Sequence, residues 1–459
     1  MNRFLEKIFG YRGLKILIPL LDLAIVYGSI IWSFYIFKDS LDNFSENWFS
    51  FVAIWPYIGI CYLILSHIFE LDKPKDFSFL GIGYTVFLVI VSLLFCTMAI
   101  SFLAREFAFP RSILLTAYAM QIAAITFWHF FANRMHFRLN KGKSVLVIGY
   151  EKSQPLAYKL LEAKGIWSNL KHVCSPDHLN LYNYINECDI TFITEDVSEE
   201  QKQHIILYCI ERNRTVLYQP KNSEILQFNA NFLQIDDSPV LDVRELGLGQ
   251  SNELFKRLTD VFLGILGLIV LSIPFIFVYL ALKIGGGSAF YAQERITRDN
   301  KVFKIYKFRT MVENAEAASG PVLAQDVDCR ITKLGHFLRA TRLDEIPQIY
   351  NILIGDMSIV GPRPERPFFV EQFCAEMPEY NLRHRVKAGL TGLAQVQGKY
   401  NTSVRDKLKY DLLYINGYSY ALDIKLIMQT LNILLRKSST EGVKSVSEIE
   451  KEVEELTRH

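Results

Sequence analysis

Apolar residues open the chain in four long runs, Ile16–Phe37, Trp48–Phe69, Phe79–Leu103 and Ser112–Ala132. Each has the roughly 20 residues that carry a helix across a hydrocarbon core. The pattern predicts a four-helix transmembrane bundle over residues 1–140. Basic residues orient it. Arg3, Lys7, Arg12 and Lys15 precede the first run, Lys73 and Lys75 separate the second from the third, and Arg134, Arg138, Lys141 and Lys143 follow the fourth. The other two connections hold only Lys38, and Arg105 with Arg111. The excess of positive charge places both ends of the bundle in the cytoplasm. Asp22 falls inside the first run, where a carboxylate is either a functional group or a helix-packing hydrogen-bond partner; no catalytic role is assigned to it.

From Ser144 the period shortens. Val145–Gly149, Ile190–Thr194 and Val216–Tyr218 read as strands, Ala157–Ala163 and Ile205–Glu211 as helices. The alternation predicts a small parallel α/β, Rossmann-like domain over 141–250. Its first turn, GYEKSQP, has Gly149 but no GxGxxG, so the dinucleotide fingerprint is missing and a regulatory or architectural role is the better expectation. A fifth apolar run, Val261–Leu282, follows Lys256 and Arg257 and spans about 33 Å at helical rise. Ser272 and Pro274 stand near its middle, and proline there removes a backbone bond and clashes with the preceding turn. Two arrangements fit this 251–284 segment: a crossing helix, or a kinked one that enters and leaves by the same face.

Residues 285–437 are polar-rich. Their centre is Arg339–Glu365, RATRLDEIPQIYNILIGDMSIVGPRPE. Asp344 and Glu345 stand at the predicted start of a short helix, Pro347 is tolerated in its first turn, and Ile346, Ile349, Tyr350 and Leu353 recur at helical spacing. Gly355 closes the helix, and Met357–Val360 runs extended into the turn that carries Arg363. An acidic pair at a helix start with arginines on both sides is either a capped helix with surface ion pairs or a phosphate-handling site. Leu422–Leu435 is apolar at helical spacing, suited to a membrane surface or to the domain interior. A charged tail covers 438–459.

Composition sharpens this picture only in part. Half of the 459 residues are hydrophobic, with 33 Phe and 23 Tyr, as in a membrane protein. The net charge of +2 argues against nucleic acid as a partner. The seven cysteines form no CxxC pair and no zinc spacing, which predicts reduced thiols. The first apolar run is too long for a cleavable signal peptide. No internal repeat is evident.

Four motifs then stand in order: YKFRTM (306–311), LDEIPQIYN (343–351), GDMSIVGPRPE (355–365) and GLTGLAQVQG (389–398). Carrying them, the chain resembles the polyprenyl-phosphate hexose-1-phosphate transferases, the bacterial sugar transferases that initiate exopolysaccharide and capsule synthesis. The resemblance implies transfer of a hexose-1-phosphate from a UDP-sugar to undecaprenyl phosphate in the membrane, with release of UMP through a covalent aspartyl intermediate. It implies Asp344 as nucleophile and Mg²⁺ ligand, and Glu345 in support of the metal site or in acid–base steps. Lys307, Arg309, Arg339 and Arg363 become phosphate-binding residues, with Gln348, Glu365 and Arg385 assigned to the same substrate-binding set. A carboxylate can form an acyl phosphate and so divide one displacement into two, and cations offset the pyrophosphate charge. The ordinary alternative for Lys307 and Arg309 is a basic face on anionic lipid.

The implied architecture is a transmembrane helical bundle, a Rossmann-like α/β domain and a mostly helical (α+β) membrane-associated catalytic domain with a kinked re-entrant helix. The implied location is the bacterial inner membrane, multi-pass, with the catalytic domain cytoplasmic because donor and acceptor phosphate meet there. A homo-oligomer is compatible with this reading. The sequence departs from the family pattern at Ser288-Ala289, Arg295-Ile-Thr, Ala388 and Lys399, which alters turns more than chemistry. Two other classes compete: an inactive membrane scaffold, against which the intact Asp344, Glu345, Arg339 and Arg363 argue, and a Leloir-type glycosyltransferase, for which Asp326-Val-Asp328 has the spacing of a nucleotide-binding DxD. The sugar cannot be read from the sequence.

Overall fold

A computed structural model of the chain describes residues 11–40, 43–73, 79–105, 111–140, 143–162, 169–243, 245–312, 330–398 and 402–435. Asp326, Asp328, Lys399 and the 438–459 tail lie outside them. The chain divides into two compact units at Pro220 and Lys221.

In the first unit, helices α1 (Tyr11–Ile36), α2 (Phe44–Ile68), α3 (Phe79–Leu103) and α4 (Arg111–Asn140) follow the four apolar runs. All four are long and apolar enough to span a bilayer. Pro19 and Pro56 sit inside α1 and α2, tolerable in a bundle where neighbours satisfy the freed backbone groups. The helices pack through Ile18, Ile54, Ile58, Val86, Leu93 and Ile125, all buried. Asp22 is buried and fully engaged: the Tyr62 hydroxyl donates to Oδ2 at 2.8 Å, and His129 Nε2 lies 3.0 Å from both carboxylate oxygens.

Strand β1 (Val145–Ile148) is followed by α5 (Ser153–Glu162), β2 (Leu170–Cys174), α6 (Leu181–Glu187), β3 (Ile190–Ile193), α7 (Glu199–Glu211) and β4 (Thr215–Tyr218). The four strands form a parallel sheet in the order β2-β1-β3-β4. Leu146 and Ile148 face one apolar cluster and Val145 and Val147 another, which is why the first strand reads as a continuous apolar run. β2 and α6 lie outside the elements that the sequence pattern predicts: LKHVC alternates too weakly, and its pairing with β1 comes from tertiary context. Past β1, Asp196 accepts the Lys152 amide at 2.8 Å. The protein's own carboxylate thus takes an amide of the first βα turn.

The second unit starts earlier than the expected boundary at 250. Helix α8 (Asn222–Gln227) packs Ile225 and Leu226 against Met377, Tyr380, Leu408 and Leu412, not against the sheet. Two apolar neighbours in six residues carry no signal of which core they serve. An antiparallel hairpin, β5 (Asn231–Ile235) and β6 (Ser238–Asp242), follows.

Helix α9 (Gln250–Ile284) is long and apolar enough to span and runs as one helix through Ser272 and Pro274. Ser272 Oγ donates to the Ile269 carbonyl at 2.7 Å. One face packs on the unit along its whole length. Near its start, Asp260 Oδ1 accepts from Ser358 Oγ at 3.0 Å and Ile359 N at 2.9 Å. Near its end, Val278 and Leu282 join Phe308, Leu338 and Ile346. At Gly264 a Cβ would stand 2.8 Å from Leu353, so glycine permits the close approach. The other face leaves Phe262, Ile269, Val270, Phe277 and Ile284 exposed.

The remainder builds the site's frame. It comprises the hairpin β7 (Phe290–Ile296) and β8 (Val302–Phe308), α10 (Lys333–Thr341), a 3₁₀ turn (Leu343–Glu345), α11 (Gln348–Ile354), β9 (Met357–Val360), α12 (Pro367–Glu376), a 3₁₀ segment (Pro378–Arg385), β10 (Ala388–Thr391), α13 (Leu393–Gln397), α14 (Val404–Asn416) and α15 (Tyr420–Leu435). β9 and β10 pair in parallel. Leu426 of α15 is buried with Val360 and Tyr414, so this helix packs inside the unit.

Candidate active site

Three elements converge on the acidic pair. Thr332 caps α10, its hydroxyl accepting from Gly335 N at 2.9 Å. α10 ends at Arg342, in the left-handed region at φ 58 and ψ 13, and the chain turns at once into the Leu343–Glu345 3₁₀ turn. Gly355 closes α11 with φ 98, the conformation glycine adopts without penalty. Arg257 from α9 donates to the Ile352 and Leu353 carbonyls, each at 2.6 Å, which satisfies the end of α11. Asn351 ties α11 to β8: its Oδ1 accepts Tyr306 N at 3.1 Å and its Nδ2 donates to the Lys304 carbonyl at 2.8 Å. This register places Lys307 beside the turn. Tyr350, expected on the apolar face, is exposed, while Gln348 and Asn351 are buried. The interrupted start of α11 rotates its face relative to one continuous helix.

The two acids lie in different surroundings. Glu345 is held by Arg363 Nη2 at 3.0 Å and Lys307 Nζ at 3.2 Å, with Arg342 Nη1 at 3.9 Å. Burial works to raise its pKa, but Arg363, Lys307 and Arg342 together bring it down to about 2. Asp344 is 8% exposed, and its Oδ1 is buried without a hydrogen-bond partner among the described residues. Burial and the Glu345 charge raise the Asp344 pKa against the pull of Lys307, Arg342 and Arg339. Burial lowers that of Lys307, with Glu345 opposing. The neighbouring carboxylates are therefore pushed apart, one locked as an anion and the other left with an open oxygen.

Arg339 Nε donates to Thr310 Oγ1 at 2.9 Å. Arg309 donates from Nη2 to the Gly286 carbonyl. Glu365 pairs with Arg295 at 3.5 Å. Gln348 is buried, with Nε2 unpartnered among the described residues. The structure thus joins Lys307, Arg363 and Glu345 directly, with Asp344 beside them and Arg339 near enough to affect its charge. It does not bring Arg385 into that set: Arg385 is exposed, and none of the described contacts links it to the pair.

Comparison with known proteins bears on this arrangement. A family model described as bacterial sugar transferase matches residues 251–437. A Bacillus subtilis (strain 168) protein, provisionally named an undecaprenyl-phosphate N-acetylgalactosaminyl 1-phosphate transferase, is 46% identical over 130 residues, which cover 28% of this chain and 72% of that protein. The chain belongs to the bacterial sugar transferase family. Longer relatives include the UDP-glucose:undecaprenyl-phosphate glucose-1-phosphate transferase of Klebsiella pneumoniae, 39% identical over 228 residues (47% of this chain, 48% of the relative). Another is the undecaprenyl-phosphate galactose phosphotransferase of Salmonella typhimurium (strain LT2), 30% identical over 260 residues (53% and 54%). The chain thus spans about half the length of these two relatives.

The matched region contains both carboxylates and the basic groups described around them. Sequence reasoning missed three of its residues. Arg342 lies beside Glu345. Arg295 donates to the Pro364 carbonyl at 3.2 Å. Arg383, 5% exposed, pairs with buried Asp411 at 2.9 Å. The signal available for Arg342 was its position two residues before Asp344. For Arg383 against Arg385 there was none, because helical spacing breaks down in the 3₁₀ segment that holds both.

Proposed function

We propose that the protein transfers a hexose-1-phosphate from a UDP-sugar to a polyprenyl phosphate, releasing UMP, as the first membrane step of polysaccharide assembly. The observation that carries this reading is the unpartnered, buried Asp344 Oδ1 beside a Glu345 neutralised by two cations. A buried polar atom without a partner is rare and costly, and here it faces the chemistry that the relatives' names describe.

In the proposed first step an Asp344 oxygen attacks the donor's β-phosphorus. The bond from phosphorus to the bridging oxygen breaks, UMP leaves with the electron pair, and the sugar phosphate becomes an acyl phosphate on Asp344. In the second step a polyprenyl phosphate oxygen attacks the same phosphorus, the acyl phosphate bond breaks, and Asp344 returns as carboxylate. Glu345 keeps Lys307 and Arg363 in place, and those cations receive the transferring phosphoryl oxygens. Arg339, near enough to Asp344 to affect its charge, would bind the leaving phosphate.

Magnesium suits this donor set. Mg²⁺ binds through one or two carboxylates and substrate phosphates rather than through an all-protein cage. Asp344 has an oxygen to offer, and the described residues contain no cluster of three acidic, His or Cys groups. When bound there, the ion would neutralise pyrophosphate charge.

The same reading covers topology. α9 would re-enter rather than cross, because Asp260 near its start and Leu282 near its end both pack on one polar unit, and a crossing helix would part them. Its exposed apolar face would lie in the lipid. The basic loops of the bundle support a multi-pass inner-membrane protein with this unit in the cytoplasm. The four-stranded sheet, in the order β2-β1-β3-β4, is compatible with a Rossmann-like domain whose first turn is occupied by Asp196.

The test is an assay of the full chain in lipid nanodiscs with a panel of UDP-hexoses, polyprenyl phosphate and Mg²⁺. UMP is the expected nucleotide product, and UDP would indicate transfer of sugar alone. A cysteine placed at Asn300 should resist an impermeant thiol reagent applied to intact cells; ready labelling would mean that α9 crosses.

A further inference from the structure

The turn that carries Arg363 cannot tie itself down. Pro362 and Pro364 flank the arginine, and proline has a fixed φ and no N–H to give. The turn instead presents consecutive carbonyls, and other parts of the unit supply the donors. Gly389 N donates to the Pro362 carbonyl at 2.9 Å, Arg295 Nη1 to that of Pro364 at 3.2 Å, and Ile296 N to that of Glu365 at 3.0 Å. The carbonyl of Arg363 itself accepts from Arg383 Nη2 at 2.8 Å.

Arg383 is the more deeply buried of the two side-chain donors. It pairs with Asp411 of α14 at 2.9 Å, donates to the Tyr380 hydroxyl, and is 5% exposed beside an Asp411 that is 2% exposed. A shallow cleft lined by Pro362, Arg363, Pro364, Arg383 and His384, with room for about one water molecule, adjoins the turn. Pro362 and Pro364 are themselves buried, and among the described contacts the carbonyl of Arg363 between them is held by Arg383.

We propose that Arg383, anchored by Asp411, is a positioning residue: it fixes the backbone of Arg363 so that the Arg363 guanidinium reaches Glu345. The chain of contacts runs Asp411 to Arg383 to the Arg363 carbonyl, and from the Arg363 side chain to Glu345 at 3.0 Å. The proposal rests on the reading that the Asp344–Glu345 pair is catalytic, and it gives a buried ion pair far along the sequence a share in that catalysis.

Removing Arg383 alone leaves Asp411 buried and unpaired, which can prevent folding. The informative variant is therefore R383M/D411L, in which both charges give way to apolar side chains of similar volume. It is compared with R363M and with the triple variant, each as the full chain in nanodiscs. R383M/D411L should lower kcat for UMP release roughly tenfold to hundredfold, the range of a lost hydrogen bond to a charged group. In the R363M background the same pair of changes should cost less than about threefold, because the interaction it serves is already gone. A second readout is the carboxylate titration of ¹³C-labelled Glu345, whose charged neighbours are Asp344, Lys307, Arg342 and Arg363. Its midpoint should rise in R383M/D411L as in R363M. Equal losses in both backgrounds with an unmoved Glu345 titration would overturn the proposal, since general structural damage adds in either context. If the unaltered chain releases no UMP from any donor, the catalytic reading fails, and the Glu345 titration still decides whether Arg383 places Arg363.

Discussion

Two buried aspartates, one in each unit, differ in how far their oxygens are engaged. Asp22 in the membrane bundle is inaccessible, and both its oxygens are engaged by Tyr62 and His129. Asp344 in the sugar transferase unit is nearly as buried, yet Oδ1 has no partner among the described residues. Burial is the same kind of cost in both places. Satisfaction is what differs. A carboxylate with every lone pair in use holds helices together, whereas one left open, with cations engaged next door by Glu345, is available to bond with something else.

Exchanging the two aspartates for neutral residues gives the largest contrast. Asp344→Asn should reduce UMP release by a factor on the order of 10³ or more, as removal of a nucleophile does, with a melting temperature unchanged or raised. Asp22→Ala should do the reverse. Stranding Tyr62 and His129 should destabilise the bundle by about 1–3 kcal/mol, measured by thermal unfolding, while UMP release per folded molecule stays the same. Activity lost without stability in Asp22→Ala would break the comparison.

Glu345→Gln sharpens it. Burial and the Glu345 charge hold the Asp344 pKa above the ordinary carboxylate value, so activity should fall as pH drops through that raised value. Neutralising Glu345 removes a like charge and frees Lys307 and Arg363 to favour the Asp344 anion. The acid limb of the pH–rate profile should then move to lower pH even as the maximum rate declines. Stability follows the opposite neighbour. Because Glu345 has a folded pKa of about 2, below the unfolded value of about 4.3, its contribution is complete above the latter and is lost as pH falls from there through about 2. A smaller effect separates Asp22's partners: Tyr62→Phe should cost about 1 kcal/mol of stability and leave turnover unaltered.

The spans were legible in the sequence because length and hydropathy are local quantities, and α1 to α4 each follow one apolar run, with α4 extending past its own to Asn140. The parallel sheet was legible in three of its four strands, through runs such as Val145–Ile148 that need no knowledge of their neighbours. The Asp344–Glu345 pair and its cations Lys307 and Arg363 were legible as motifs, although only folding brings a β8 lysine and an arginine eighteen residues past Glu345 onto one carboxylate. What stayed hidden depends on distant partners. α8 joins the second unit because Ile225 meets Leu408, and Arg383 rather than Arg385 turns inward because Asp411 waits there. Neither choice leaves a trace in local periodicity.

Arg342 stands in the left-handed region at φ 58, a conformation that costs a side-chain-bearing residue on the order of 1 kcal/mol and a glycine almost nothing. Its guanidinium lies 3.9 Å from Glu345 and lowers the pKa of both carboxylates. Arg342→Gly should therefore raise the melting temperature slightly while slowing UMP release by a few-fold. A protein engineer screening for heat resistance alone would select that glycine and select against the proposed activity. At this one position the thermostable sequence and the working sequence diverge, and only a library scored on both properties at once would keep the arginine.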